Sequence, residues 1–406
     1  MPDDLAALLE ECQRTPDQDA PRLAWADAVG GERGELVVLQ CVLAGGGLSI
    51  AHAAELRHRQ RELIRTHGVA WSQLDGIARR CVFRRGFVDA IEIEGADAAS
   101  LALERAPLAT SLVVTGLTLD GVDRLLAQPG IARLRGLTLV ELGAEPRHLD
   151  HRVVERVVGS PALAELRALG LHARIGEDGV RRLLESTLLG GLERLAVPRF
   201  DWSDAWARTL FARAPRLRAF EMFWGHGAEI AAVLPPTIVE LAVPTASLRA
   251  RGGERSTIEA LVESAAAATL ERLALRGTFG ERVELLARLP RLRSLDLSEC
   301  QLGLMRNPPS HWKTNLAFAG VAMPALRELA MSPYTRGDEL PALAKNLGPQ
   351  LEQFSVRELG KLGEAKLRRQ FAGVVSSDSF PAWSKQIASV ETRGPWLDDA
   401  LVLLRR

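Results

Sequence analysis

The sequence predicts an α/β fold, a solenoid of strand-and-helix units preceded by an α-helical N-terminal domain. Three observations predict it. A six-residue apolar pattern recurs along most of the chain. Helical apolar periodicity fills the intervals between its copies. Before Val88 the strand pattern disappears and only helical periodicity is left.

The fullest copy is Leu292–Leu302, LRSLDLSECQL, which meets the template L-x-x-L-x-L-x-x-N/C-x-L at every fixed position, with Cys300 in the Asn/Cys slot. Its first six residues recur from Val88, Leu134, Leu166, Leu192, Leu217, Ile238, Leu270, Leu326 and Leu351. A further copy lies within Leu112–Leu119, in a register the sequence leaves open. Steps between neighbours are mostly 21 to 26 residues, with steps of 32 to 34 where an insertion is expected. In L-x-x-L-x-L the last two apolar residues are two apart, so on a strand both point to one side. Helices are expected over 151–158, 179–186, 204–213, 257–265 and 281–289, capped by Asp150, Asp178, Ser203 and Ser256 where a cap is legible. Pro161, Pro215, Pro290 and Pro324 stand just before strands, where a helix has to stop.

This pattern resembles the leucine-rich repeat, whose period is about 20–29 residues. Most copies lack the Asn of the turn after the strand, so the resemblance implies an irregular, helix-rich, ribonuclease-inhibitor-like horseshoe with the strands on its concave face. One unit cannot bury its apolar side alone; its neighbours do that.

Before Val88, helices are expected over 3–14, 20–29, 33–43 and 51–66. Pro16, Asp17, Asp19, Ala20, Pro21, Arg22, Leu23, Ala26, Asp27, Arg33, Gly34, Glu35, Leu36, Leu39 and Gln40 follow a D-P-D-D-x-A-P-R-L-x-Y-A-D-W-L…R-G-E-L-I-x-L-Q pattern. In this the chain resembles the repeat-companion domain of bacterial leucine-rich-repeat proteins of myxobacterial and planctomycete type. It departs from the pattern with Trp25 for Tyr and Ala28–Val29 for Trp–Leu. The stretch RRGFVDAIEI at 84–93 resembles that family's junction into the first strand. The resemblance implies a recognition role and offers no catalytic mechanism. The expected organisation is a helical companion or capping domain over 1–80, the repeat array over 81–360 and a C-terminal cap over 361–406.

The polar residues of the motif, Asp17, Asp19, Arg22, Asp27, Arg33 and Glu35, admit two readings. They form either a metal or ligand constellation, or helix caps and ion pairs between short helices. The second is preferred, since Asp before a helix and Pro in its first turn are ordinary start signals.

Composition narrows the function classes. Lys+Arg and Asp+Glu are each 51, so the basic surplus expected of a duplex-binding protein is absent and no nucleic acid is expected as partner. Cys12, Cys41, Cys81 and Cys300 are scattered without a C-x-x-C pair, which argues for buried reduced thiols over zinc or disulfides. The start MPDDLAALLEEC is acidic and amphipathic, unlike a signal peptide. No apolar run is long enough to span a bilayer. A cytoplasmic protein without membrane insertion is expected.

Phosphate-loop, dinucleotide, metalloprotease and nucleophile-elbow motifs are absent. His148 and His151 lack ligand-spaced partners, and no cysteine starts the C-x-D motif of bacterial leucine-rich-repeat ubiquitin ligases. No catalytic residue, metal or cofactor is therefore expected. The expectation is a non-catalytic scaffold that binds a protein partner through its concave face and rim. The alternatives are a regulator of a partner enzyme of GTPase or kinase type, or an enzyme with an unrecognised site.

Between the buried apolars, the residues expected on the open face include Glu92 and Thr138, then Arg194, Ala196, Glu221, Glu240, Ala242, Arg272, Ala274, Asp296, Glu328 and Ala330. Small residues dominate, with charges of both signs. One region stands out in a chain with 5% aromatics: Arg199, Phe200, Asp201, Trp202, Glu221, Phe223, Trp224 and His226. Aromatics with a charged rim, at strand ends and in the loops that follow, have the composition of a partner-binding hot spot. The competing reading is that they fill irregular turns. Trp206 and Phe220 are expected in the core.

Overall fold

A computed structural model describes residues 3–48, 50–140, 150–172, 175–197, 203–222, 227–244, 256–278, 283–297, 300–301, 321–331, 345–347, 350–351, 353–356 and 401–403. The chain forms two compact units, 1–186 with 392–406, and 187–391.

The first unit begins with four helices, α1 (Asp3–Arg14), α2 (Ala20–Val29), α3 (Gly31–Gly45) and α4 (Ile50–Ser72). The hairpin β1 (Arg80–Arg84) and β2 (Phe87–Glu94) follows, then α5 (Ala99–Arg105), β3 (Ser111–Thr115), α6 (Leu119–Leu126), β4 (Gly136–Val140), α7 (His151–Val158), β5 (Ala168–His172) and α8 (Gly176–Glu185). From β2 to β5 neighbouring strands are parallel and in sequence order.

The second unit continues the alternation with β6 (Arg194–Val197), α9 (Asp204–Arg213), β7 (Ala219–Met222), α10 (Gly227–Ala232), β8 (Glu240–Pro244), α11 (Thr257–Val262), β9 (Arg272–Thr278) and β10 (Ser294–Leu297). The short β11 (Cys300–Gln301) pairs with the end of β9, while β12 (Glu328–Met331) and β13 (Gln353–Val356) extend the parallel ladder beyond β10. A last strand, β14 (Leu401–Leu403), pairs antiparallel with β1 in the first unit.

The register shows why the apolar pattern makes strands. Ile91 pairs with Leu112, Leu112 with Leu137, and Leu137 with Leu169; two residues further on, Ile93, Val114, Leu139 and Leu171 are matched in the same way. In the second unit Leu195, Phe220, Leu241, Leu273, Leu295, Leu329 and Phe354 occupy one level across the ladder. Each described side chain on these levels is buried against the helices, at a gain of about 1.5–3 kcal/mol per large apolar side chain. The residue after the first leucine of a repeat locks the stack. The Arg135 carbonyl accepts from both the Arg167 and Ala168 amides, and the carbonyls of Glu193, Arg218, Val239, Glu271 and Arg293 each do the same for the next repeat.

The pairing of Leu112 with Leu137 settles the open register. That repeat begins at Ala109, which is buried in the slot leucine takes elsewhere. An alanine there explains why the copy is faint in the sequence.

Some local expectations change. α7 and α9 have the predicted bounds, and the side chains of Asp150, Ser203 and Ser256 cap their helices; Ser256 forms a full capping box with Glu259. Asp178 is not a cap. α8 starts at Gly176, three residues before the expected start at 179, which puts Asp178 in its first turn, where a carboxylate still favours the helix dipole. Instead of an α-helix at 281–289 there is a 3-10 segment, Val283–Arg288, cut short before Pro290. α4 runs on to Ser72. The segment expected as a C-terminal cap, 361–406, is described only at β14.

The helical part is joined to the hairpin by polar contacts across a buried seam. Arg85 and Gly86 form the two-residue turn between β1 and β2, both with positive φ (49° and 84°), as a primed hairpin turn requires. Such a φ is unfavourable for arginine. The Arg85 guanidinium offsets it by pairing with Asp19 at 3.1 Å and donating to the Asp17 carbonyl at 2.9 Å.

Candidate protein-interaction surface

On each parallel strand, the residues between the buried apolars face away from the helices and form the open side of the sheet. In the second unit the first row reads Arg194, Ala219, Glu240, Arg272, Ser294, Glu328, and the row two residues on reads Ala196, Glu221, Ala242, Ala274, Asp296, Ala330. Strands are about 4.8 Å apart, so a long side chain can cross a strand that carries alanine. Arg194 reaches across Ala219 to Glu240 at 2.8 Å, and Arg272 approaches the other carboxylate oxygen of Glu240 at 3.2 Å. Arg276 reaches across β8 to Glu221 at 2.6 Å.

The two networks differ in exposure. The Arg276 and Glu221 side chains are 10% and 16% exposed, those of Arg194 and Glu240 are 40% and 23%. The result is a surface on which these charges are paired across neighbouring strands and interspersed with small alanine side chains.

The first unit follows the same rule with smaller residues. A Cβ on Gly170 would lie 2.7 Å from Thr138 Oγ1, and one on Gly136 would lie 2.7 Å from Ser111 Oγ. Each glycine makes room for the neighbouring strand's hydroxyl side chain. Glu92, on the same face, is buried and pairs with Arg80.

Of the residues singled out in the sequence, Glu221 is placed on this face. Arg199, Phe200, Asp201, Trp202, Phe223, Trp224 and His226 lie outside the described residues. Phe220 is in the core as expected, edge-on to Phe211 with centroids 5.6 Å apart. Trp206 is not fully in the core. From its start at Asp204, α9 turns Ala207, Leu210 and Phe211 inward, leaving Trp206 half-buried.

The motif residues of the N-terminal part do not converge on one site. Asp17 pairs with Arg135 at 3.0 Å, and this hydrogen bond holds its carboxyl below the usual range. Asp19 makes no cap and turns to Arg85. Arg22 is buried and donates to the Gln18 carbonyl at 2.8 Å. Glu35 takes a two-pronged contact from Arg59, 2.7 Å on each oxygen, which likewise lowers its pKa. Asp27 is exposed.

Arg33 is the unexpected member. Its guanidinium carbon lies 5.6, 5.1, 5.4 and 5.5 Å from the ring centroids of Trp25, Trp71, Phe83 and Phe87. Desolvation in this cage lowers its pKa to about 10. The aromatic faces supply the cation–π attraction that stands in for a counter-ion. Sequence reasoning missed it because the four rings come from three different parts of the chain.

Among the described residues no group of three or more His, Cys, Asp and Glu could hold a metal ion. Burial pushes the thiols of Cys41 and Cys81 up to about 12, so neither has nucleophile character at neutral pH. No helix among the described residues is long and apolar enough to cross a membrane.

No family model matches the chain, and no curated protein matches it in sequence. Among solved structures it is similar to a chain of the yeast Rad7 and Elc1 complex, at 13% identity and a TM-score of 0.41, over 92% of each chain. A likeness at that level assigns no function.

Proposed function

We propose that the chain is a non-catalytic protein-binding scaffold of leucine-rich-repeat type, with a helical N-terminal module of the bacterial repeat-companion kind. One observation carries this reading. On the described open face of the second unit, alanines alternate with charged side chains, five of which are paired with one another across neighbouring strands. A partner segment can lie close to such a face without stranding these charges. In the sequence, Phe200 and Trp202 follow β6 and Phe223 and Trp224 follow β7, in company with Arg199, Asp201, Glu221 and His226, and these aromatics are taken as the anchor residues on composition alone.

The test uses a partner purified with the chain from its native source. Ala274→Trp and Ala330→Trp place bulk on the open-face rows, and Trp202→Ala and Trp224→Ala remove the anchors. Each substitution is expected to weaken binding at least tenfold with the melting temperature unchanged. Unaltered affinity in all four variants, or loss of binding only alongside unfolding, refutes the assignment.

A further inference from the structure

We propose that the residues leading into the strands of the second unit form an arginine row, Arg216, Arg218, Arg291 and Arg293, that binds an acidic protein segment. The inference concerns the strand entries and not the open face, and its test does not depend on that face.

The row starts from a short motif. Pro-Arg-Leu-Arg occurs twice, at 215–218 and at 290–293. Leu217 and Leu292 are buried in the lead slots of their repeats, and the arginines on either side of each are exposed. Main-chain hydrogen bonds fix the level. The Arg218 carbonyl accepts from the Val239 and Glu240 amides, that of Val239 from Glu271 and Arg272, and that of Glu271 from Arg293 and Ser294. Arg218 and Arg293 therefore stand at one level, three strands apart, which is about 14 Å at the usual strand spacing. Glu193 and Glu271 share the level, yet among the described residues no carboxylate pairs with any of the four arginines. Arg327, next along, is turned back to the Pro324 and Leu326 carbonyls.

The first unit shows what such a row accepts. Arg135 and Arg167 hold the same position in their repeats as Arg218 and Arg293, the Arg135 carbonyl accepting from the Arg167 and Ala168 amides. There the row is occupied. Asp17, between α1 and α2, pairs with Arg135 at 3.0 Å, and Arg167 adds its charge to the same carboxylate. Asp19, two residues on, takes Arg85. An acidic loop of the chain itself thus covers arginines whose equivalents in the second unit are exposed. Guanidinium and carboxylate match in shape as well as charge. A partner for the second unit needs acidic residues at two stations about 14 Å apart, or about four residues of extended chain. Val239 and Glu271 stand between the stations. A peptide with a gap between its acids avoids Glu271, whereas a continuous phosphate chain does not, and the chain's net charge of zero also disfavours nucleic acid.

The experiment uses the full chain and a labelled peptide, DQDGDQD, which repeats the Asp17–Asp19 spacing at a four-residue interval. Fluorescence anisotropy at low salt is expected to show saturable binding that is lost as salt rises. Arg218→Glu and Arg293→Glu should each weaken it at least fivefold, and together at least twentyfold. Arg208→Glu, the same charge change at an exposed position of α9, should alter it less than twofold. The peptide NQNGNQN should not bind. Circular dichroism checks that each variant is folded, and Arg218→Gln with Arg293→Gln replaces the reversed charges if those disturb the fold. Absence of binding at low salt, indifference to the row substitutions, or an equal loss from Arg208→Glu refutes the site. A thymidine oligonucleotide that binds the row more tightly than the peptide refutes the protein partner in favour of single-stranded nucleic acid.

Discussion

Gln40 and Gly86 are bound in a single fit. The Gln40 Oε1 accepts from the Gly86 amide at 2.6 Å, while its Nε2 donates to the Phe83 carbonyl at 3.3 Å. One buried side chain thus acts as a short piece of strand against the hairpin turn. The fit needs glycine for two reasons. Gly86 has a φ of 84°, and a Cβ there would lie 2.2 Å from Val37 Cγ2 and 2.7 Å from Val37 Cα.

Gly86→Ala is therefore expected to lower stability by about 3 kcal/mol or more, combining overpacking with a left-handed backbone. Val37→Ala in the same chain should recover only part of the loss, because the Val37 backbone remains in the way. Gln40→Leu strands a buried donor and a buried acceptor, at about 1–3 kcal/mol each. Urea denaturation of the three variants measures these values. A Gly86→Ala protein as stable as the parent would show that the helix and hairpin are not packed in this way.

The Arg33 cage predicts an ordering. Arg33→Ala should be the most damaging substitution, since it leaves a void among four rings and removes the cation–π attraction. Arg33→Met keeps the apolar stem and is expected to retain at least half of the lost stability. Tryptophan fluorescence should report the change directly, as Trp25 and Trp71 both face the guanidinium. Equal stability of the alanine and methionine variants would refute a packing role.

The two ion-pair networks of the second unit should differ in worth. Glu221→Ala uncovers a largely buried Arg276 and is expected to cost up to about 3 kcal/mol. Glu240→Ala loosens two more exposed arginines and should cost no more than about 1 kcal/mol, falling further with added salt. Thermal melts at low and high salt separate the two.

Cys81 makes the fold sensitive to alkali. Its thiol has a pKa of about 12 in the fold, against an ordinary value near 9 in the unfolded chain. Below pH 9 both states hold the proton and the contribution is intact. Between pH 9 and about 12 only the unfolded chain releases it, so stability falls by about 1.4 kcal/mol per pH unit, order of magnitude. Above about 12 the contribution is gone. Cys81→Ser should flatten this limb in denaturation measured from pH 8 to 11, and an unchanged slope would refute the assignment.

The inward side of the array was legible in the sequence because it depends on near neighbours. Ile91 and Ile93, or Leu273 and Leu275, are two apart, and that spacing alone puts them on one face of a strand. The same holds for α7 and α9, whose caps and apolar spacing lie within one or two turns. The copy at Ala109 was hidden because a single alanine replaced the leading leucine, and only its pairing with neighbouring strands fixed the register. The proposed aromatic anchors rest on sequence pattern, and of the charged residues grouped with them only Glu221 is among the described residues.

The sequence by itself determined most of the repeat strands, the helices α7 and α9, and the apolar residues that those strands turn inward. These follow from periodicity, a property of adjacent residues. Tertiary structure alone decided the partners of the polar residues. Nothing near Gln40 in the chain announces Gly86, nothing near Arg33 announces Trp71 and Phe83, and nothing near Leu403 announces Arg80. A buried polar group is stabilised only by the atoms that meet it, and those atoms arrive from distant segments when the chain folds.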